Sequence, residues 1–93
     1  MNNWQKFLIS DAVVNIKNAD EFNRLMEFCE QKGIDTYIVK KMGFDRIHFS
    51  ASTRKIEEGN ACVEHQYGRG LTFASRESFE RHYEILTIDE LFN

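Results

Sequence analysis

Ninety-three residues make a single domain that buries roughly 60–65% of its unfolded surface, which leaves no room for a large internal substrate cavity. With 42% hydrophobic and 29% charged residues, and with eight Phe, three Tyr and one Trp, the chain has the material for a packed core, so disorder is excluded. The net charge of −3 argues against a protein whose main work is to grip phosphate backbones.

From the N-terminus, residues 4–9 are apolar enough to pack as a short helical turn. They lack the basic segment and long apolar run of a signal peptide, and no run approaches the ~20 apolar residues that cross a bilayer. A cytoplasmic protein without membrane contact is expected. Ala12 to Ile16 reads as a short, β-branched strand. Asn18 is a good N-cap, and Glu21 stands three residues on, where its carboxylate can reach back to the cap amide. Asp20 and Glu21 place negative charge where the helix dipole favours it. Phe22, Leu25, Met26 and Cys29 follow the spacing of one buried stripe, with Phe28 at its flank, and Gly33 supplies a left-handed stop. A helix over 19–32 is predicted.

Ile34 to Lys40 reads as a strand on the β propensity of Tyr37, Ile38 and Val39, Lys41 to Gly43 as a turn, and Phe44 to Ala51 as a second strand. In that strand Asp45, Ile47, Phe49 and Ala51 share one face, and Phe44, Arg46, His48 and Ser50 the other. Residues 52–60 form a polar loop. Ala61–Tyr67 and Leu71–Ala74 read as a hairpin around Gly68-Arg69-Gly70. Ser75 caps a second helix over about 76–83, with Phe79 and His82 or Tyr83 inward. Ile85 to Ile88 makes a last strand, and the capping-box pair Thr87 and Glu90 closes the chain in a helical turn to Phe92. The predicted order β-α-β-β-β-β-α-β gives an α+β fold, an antiparallel sheet with two helices on one face, in a ferredoxin-like βαββαβ arrangement with an extra hairpin strand.

Catalytic and metal-binding residues are sparse. Cys29 and Cys62 are too few for a disulfide framework and read as reduced, buried thiols. Cys62-Val-Glu-His65 is a C-x-x-H pair, but positions 62 and 65 of one strand face opposite ways and no second ligand pair exists, so no metal or cofactor is expected. His48 and Glu64 could meet across neighbouring strands as an acid–base couple; a solvent-face polar pair is the simpler reading. No serine lies in a nucleophile-elbow motif, and Gly68-Arg69-Gly70 lacks the helix N-terminus that a phosphate loop needs.

Charge is distributed unevenly. Residues 40–55 carry Lys40, Lys41, Arg46, Arg54 and Lys55 against Asp45, and 77–93 carry Glu77, Glu80, Glu84, Asp89 and Glu90 against Arg81. Opposed charges of this kind orient a charged partner. The expected partner-binding residues are Lys40, Lys41, Phe44, Arg46, Arg54, Lys55, Glu77, Glu80 and Glu84. Phe44 and Tyr37 beside the basic residues make single-stranded nucleic acid the second choice of ligand.

The run Val-Asn-Ile-Lys-Asn-Ala-Asp-Glu-Phe, the helix Leu-Met-Glu-Phe-Cys-Glu-Gln-Lys-Gly-Ile and the close Tyr-Glu-Ile-Leu-Thr-Ile-Asp-Glu-Leu-Phe resemble small bacteriophage accessory proteins. The resemblance implies a phage or mobile-element product that occupies a surface of a host defence or regulatory protein. The expected function is therefore a non-enzymatic protein-binding inhibitor, monomeric or a small homo-oligomer, in the host cytoplasm. A nucleic-acid binder using 40–55 and a small enzyme using His48 and Glu64 are the alternatives.

Overall fold

A computed structural model describes the backbone of residues 1–50 and 61–92 and the side chains of 1–44 and 61–92. The expected loop at 52–60 lies outside the described residues.

Helix α1 (Asn3–Leu8) opens on a reciprocal cap, in which Asn2 Oδ1 accepts from the Gln5 amide and Gln5 Oε1 from the Asn2 amide. Strand β1 (Ala12–Ile16) follows, buried at all five positions. Helix α2 (Ala19–Gln31) begins and ends as predicted. Asn18 Oδ1 accepts from the Glu21 amide at 2.9 Å, and Phe22, Leu25, Met26 and Cys29 form the buried stripe. At its end the Ile34 amide donates to Cys29 O and the Gly33 amide to Glu30 O, the paired bonds of a Schellman stop, with Gly33 at φ +78°. One detail differs: the Glu21 carboxylate accepts from the Lys17 amide, one residue before the cap.

Where strands were predicted over 34–40 and 44–51, residues 37–50 form a helix, α3 (Tyr37–Ser50), interrupted at Gly43 (φ 75°, ψ 163°), and residue 51 lies outside the described residues. Asp35 Oδ1 accepts from the Tyr37 amide, and the Lys40 amide donates to Thr36 O to start the first turn. The β propensity of Tyr-Ile-Val spans only ~1 kcal/mol. A helix lets Val39 bury, with Met42 packed against the core, and each buried side chain of that size contributes about 1.5–3 kcal/mol. Packing therefore overrides local preference.

Strands β2 (Ala61–Gln66) and β3 (Gly70–Ser75) form the predicted hairpin, with Glu64 opposite Thr72. Its turn is closed by the Arg69 amide on Gln66 O, with Gly68 at φ +78° in the third place, where only glycine is at ease. The predicted second helix shrinks to one turn, α4 (Arg76–Phe79); Ser75 makes no side-chain cap bond to its backbone. Strand β4 is Glu84–Leu86, and α5 (Ile88–Phe92) carries the predicted box, with Thr87 N–H on Glu90 Oε1 and Glu90 N–H on Thr87 Oγ1.

The fold is α+β with a four-stranded sheet in the order β3-β2-β1-β4. The sheet is mixed, not antiparallel: β1 pairs antiparallel with β2 and parallel with β4. The ferredoxin-like arrangement is not reproduced, because the chain leaves β3 and returns in the same direction at the far edge. That crossover spans three strand spacings, about 14 Å, and α4 makes it over the second sheet face. The helices consequently cover both faces, not one. On the first, α1, α2, α3 and α5 pack Phe7, Leu25, Val39 and Leu91 against Ala12, Val14, Ile16 and Val63. On the second, Phe79 of α4 covers Val13 and Cys62, with Tyr83 and Ile85 at its margin.

Candidate functional site

Cys62 and His65 separate as strand alternation requires. Cys62 lies under Phe79, whereas the His65 ring packs 6.1 Å from Phe7 on the opposite face. His65 Nδ1 sits 2.7 Å from the carbonyl of Leu8, and Ser10 Oγ donates to the carbonyl of His65. His65 thus ties α1 to β2. Among the described residues no three His, Cys, Asp or Glu side chains converge as a metal site would need.

The acid–base couple of His48 with Glu64 does not form as a cross-strand pair, because His48 lies on α3 and not on a strand. Its side chain is outside those described. Glu64 is also not on a solvent face. It is buried on the second sheet face, where it accepts from Gln66 Nε2 at 3.3 Å and lies 3.5 Å from Thr72 Oγ1. A hydrogen bond from the Tyr83 hydroxyl to Glu64, followed by the carboxylate's charge and burial, raises the phenol's pKa above its ordinary value. This cluster joins the hairpin to the end of the crossover.

Both thiols are poor nucleophiles. Burial pushes Cys29 up to about 12, with Glu30 adding in the same direction. Burial likewise pushes Cys62 up to about 12, against a smaller opposing pull from Arg76.

Of the residues expected to bind a partner, Lys40, Lys41, Phe44, Glu77, Glu80 and Glu84 have described side chains. Lys40 pairs with Glu30 at 2.7 Å, and hydrogen bonds from Lys40 and Thr36 hold the Glu30 carboxyl below its ordinary range. Lys41 lies over the Tyr37 ring at 5.6 Å, and half-buried Phe44 packs 6.3 Å from Phe22. Arg46 is on α3 with its side chain outside those described, and Arg54 and Lys55 fall wholly outside the described residues. On the acidic side Glu80 pairs with Arg76, Glu84 pairs with Lys6 across the fold, and Glu77 is exposed on α4. Three of the nine are thus held in separate intramolecular pairs.

A feature that the sequence reading missed lies between α3 and the hairpin. Ile38 and Val39 form one wall of a cleft of about 320 Å³; Leu71, Thr72 and Phe73 form the other, with Gln66 and Arg69 at its end. Tyr37 and Ile38 are 66% and 61% exposed, and Tyr67 at the hairpin tip is 94% exposed. Once 37–39 is read as helix, a signal becomes legible: three consecutive apolar residues cannot all face inward at 100° per residue. A second hollow, at Arg24, Glu27, Phe28, Gln31 and Phe92, is a seam between α2 and α5. There Phe28 packs edge-on against Trp4 and Phe92, and Arg24 lies over Phe92 and pairs with Asp89.

No helix among the described residues is long and apolar enough to cross a membrane. Comparison with protein families, with curated proteins and with solved structures finds no match to this chain.

Proposed function

We propose that the chain is a non-enzymatic protein-binding module that engages its partner along the α3–β3 side. The observation that carries this reading is the exposure of Tyr37 and Ile38 beside the cleft, since large apolar side chains grouped at a hollow mark interaction surfaces. The chemistry-bearing side chains support the same reading. Glu64 and His65 are occupied in tying elements together, and both thiols are desolvated. The phage-like rhythm of the sequence is the ground for taking the partner to be a host protein that the module occupies as an inhibitor.

A photo-cross-linking residue in place of Tyr37 tests the reading in bacterial cells. A discrete protein adduct at position 37, absent when the same residue replaces the exposed Asp20 of α2, is the expected result. Equal adducts at both positions, or none at either, would overturn it.

One observation favours a second reading. The exposed Tyr37 ring with the Lys41 ammonium over it is a stacking platform beside a cation, as single-stranded nucleic acid requires. Under that reading Lys41→Glu with Arg46→Glu abolishes retention on an oligonucleotide, and unchanged retention removes it.

A further inference from the structure

Residues 71, 72 and 73 all border the cleft, although successive side chains of a strand point to opposite faces. A hollow bordered by all three fits one that reaches the outer edge of β3, with α3 as its other wall. β3 ends the sheet, and no described strand pairs with its outer side. Natural sheets protect such edges with charge, proline or brevity. β4, the opposite edge, has only three residues and begins with Glu84, held by Lys6. β3 has six, Gly-Leu-Thr-Phe-Ala-Ser, with neither charge nor proline.

We infer that β3 is a docking edge for an extended, acidic segment of a partner protein, which adds to the sheet as a fifth strand between β3 and the Ile38 wall of α3. Strand addition uses the edge's free backbone groups for affinity and flanking pockets for alternate side chains. Charge selects the sign of the occupant. Arg69 lines the cleft, and Lys41 follows Ile38 by one helical turn; neither makes an ion pair with a described residue. The nearby Asp35 carboxylate is engaged on the Tyr37 amide. A second copy fits poorly, since it would set two cationic rims against each other.

The inference rests on the binding-module reading, and the test separates the two. The probe is an octapeptide alternating Glu with Val or Ile, added to the isotope-labelled full chain. Its counterparts carry Lys for Glu, or N-methyl groups on either the odd or the even amides. Binding should shift the backbone amides of 70–75 and the Ile38 methyls. One N-methyl series should lose binding while the other keeps it, because an added strand bonds through alternate amides. The Lys peptide should bind about tenfold more weakly, and Arg69→Glu with Lys41→Glu should reverse that order.

Absence of shifts at millimolar peptide, or equal behaviour of the two N-methyl series, would overturn the strand pairing. So would a dimer formed through β3 without peptide, or cross-strand proximities between β3 and residues 51–60. If the protein cross-linked at Tyr37 is still captured in the presence of saturating peptide, the module reading stands and the strand pairing fails.

Discussion

Cys29 and Cys62 lie in separate core clusters on opposite sheet faces, and at both sulfurs the loss of water outweighs every nearby charge. The sign of the pH effect follows. A thiol raised from 9.0 to about 12 favours the neutral form in the folded protein, so its contribution is fully present below pH 9 and is lost as pH rises from there toward 12. At a pH of about 10.5 each thiol should withdraw about 2 kcal/mol of stability relative to neutral pH. Chemical denaturation checks this, and the Cys29→Ala, Cys62→Ala double variant should flatten the profile between about pH 9 and 10, below the range of Tyr83. Gly70 is a second residue-scale constraint. At φ +87° any side chain is strained, and a Cβ there would lie 2.5 Å from the backbone oxygen of Asp35. Gly70→Ala should therefore cost about 2–3 kcal/mol, against about 1 kcal/mol for Gly68→Ala, where φ is +78° and the space is open. A pair of urea titrations distinguishes them; equal losses would mean that the Asp35 contact is easily relieved.

At the scale of elements, α3 is where local and tertiary preferences part. Gly43 holds φ 75° and ψ 163° inside the helix, a region open essentially to glycine alone, and no atom of the described residues crowds the position where a Cβ would stand. Gly43→Ala should thus cost about 1–3 kcal/mol through backbone strain. A more stable variant with greater helical circular dichroism would instead show that the helix can run straight through this position, where alanine exceeds glycine by about 1 kcal/mol. The capped elements behaved differently. Asn18 with Gly33, and Thr87 with Glu90, satisfy backbone groups by bonds within a few residues, so the sequence alone located α2 and α5. The expected strand at 44–51 had no such local bonds to define it, only β-prone side chains that a helix could also bury.

For the whole molecule, the crossover from β3 to β4 decides both the mixed sheet and the second core. Phe79, midway along it, is the side chain that α4 buries on Val13 and Cys62. Phe79→Ala should cost about 3–5 kcal/mol. It should also open one face only: alkylation of Cys62 should accelerate before global unfolding while Cys29 stays protected. Equal acceleration at both thiols would mean that the two cores do not open separately. The charge asymmetry read in the sequence changes meaning at this scale. Among the described residues, Lys40, Glu80 and Glu84 each lie beside an opposite charge from another part of the fold or the next helical turn, so these three charges are partly neutralised within the chain. The cleft was hidden for the complementary reason, since its walls come from residues 38–39 and 71–73 and meet only through the packing of α3 on β3.

The sequence by itself determined what short-range bonding and periodicity control: the α+β class, the buried stripe of α2 with its caps, the β2–β3 hairpin with Gly68 in its turn, and the divergence of Cys62 from His65. Only the tertiary structure decided that 37–50 is helical, that both sheet faces are covered, and that β3, an uncharged strand, ends the sheet among the described residues, beside the cleft at Ile38. Those outcomes depend on which distant surfaces meet. Burying Val39 and Phe79 contributes more free energy than the local propensities that a sequence window registers.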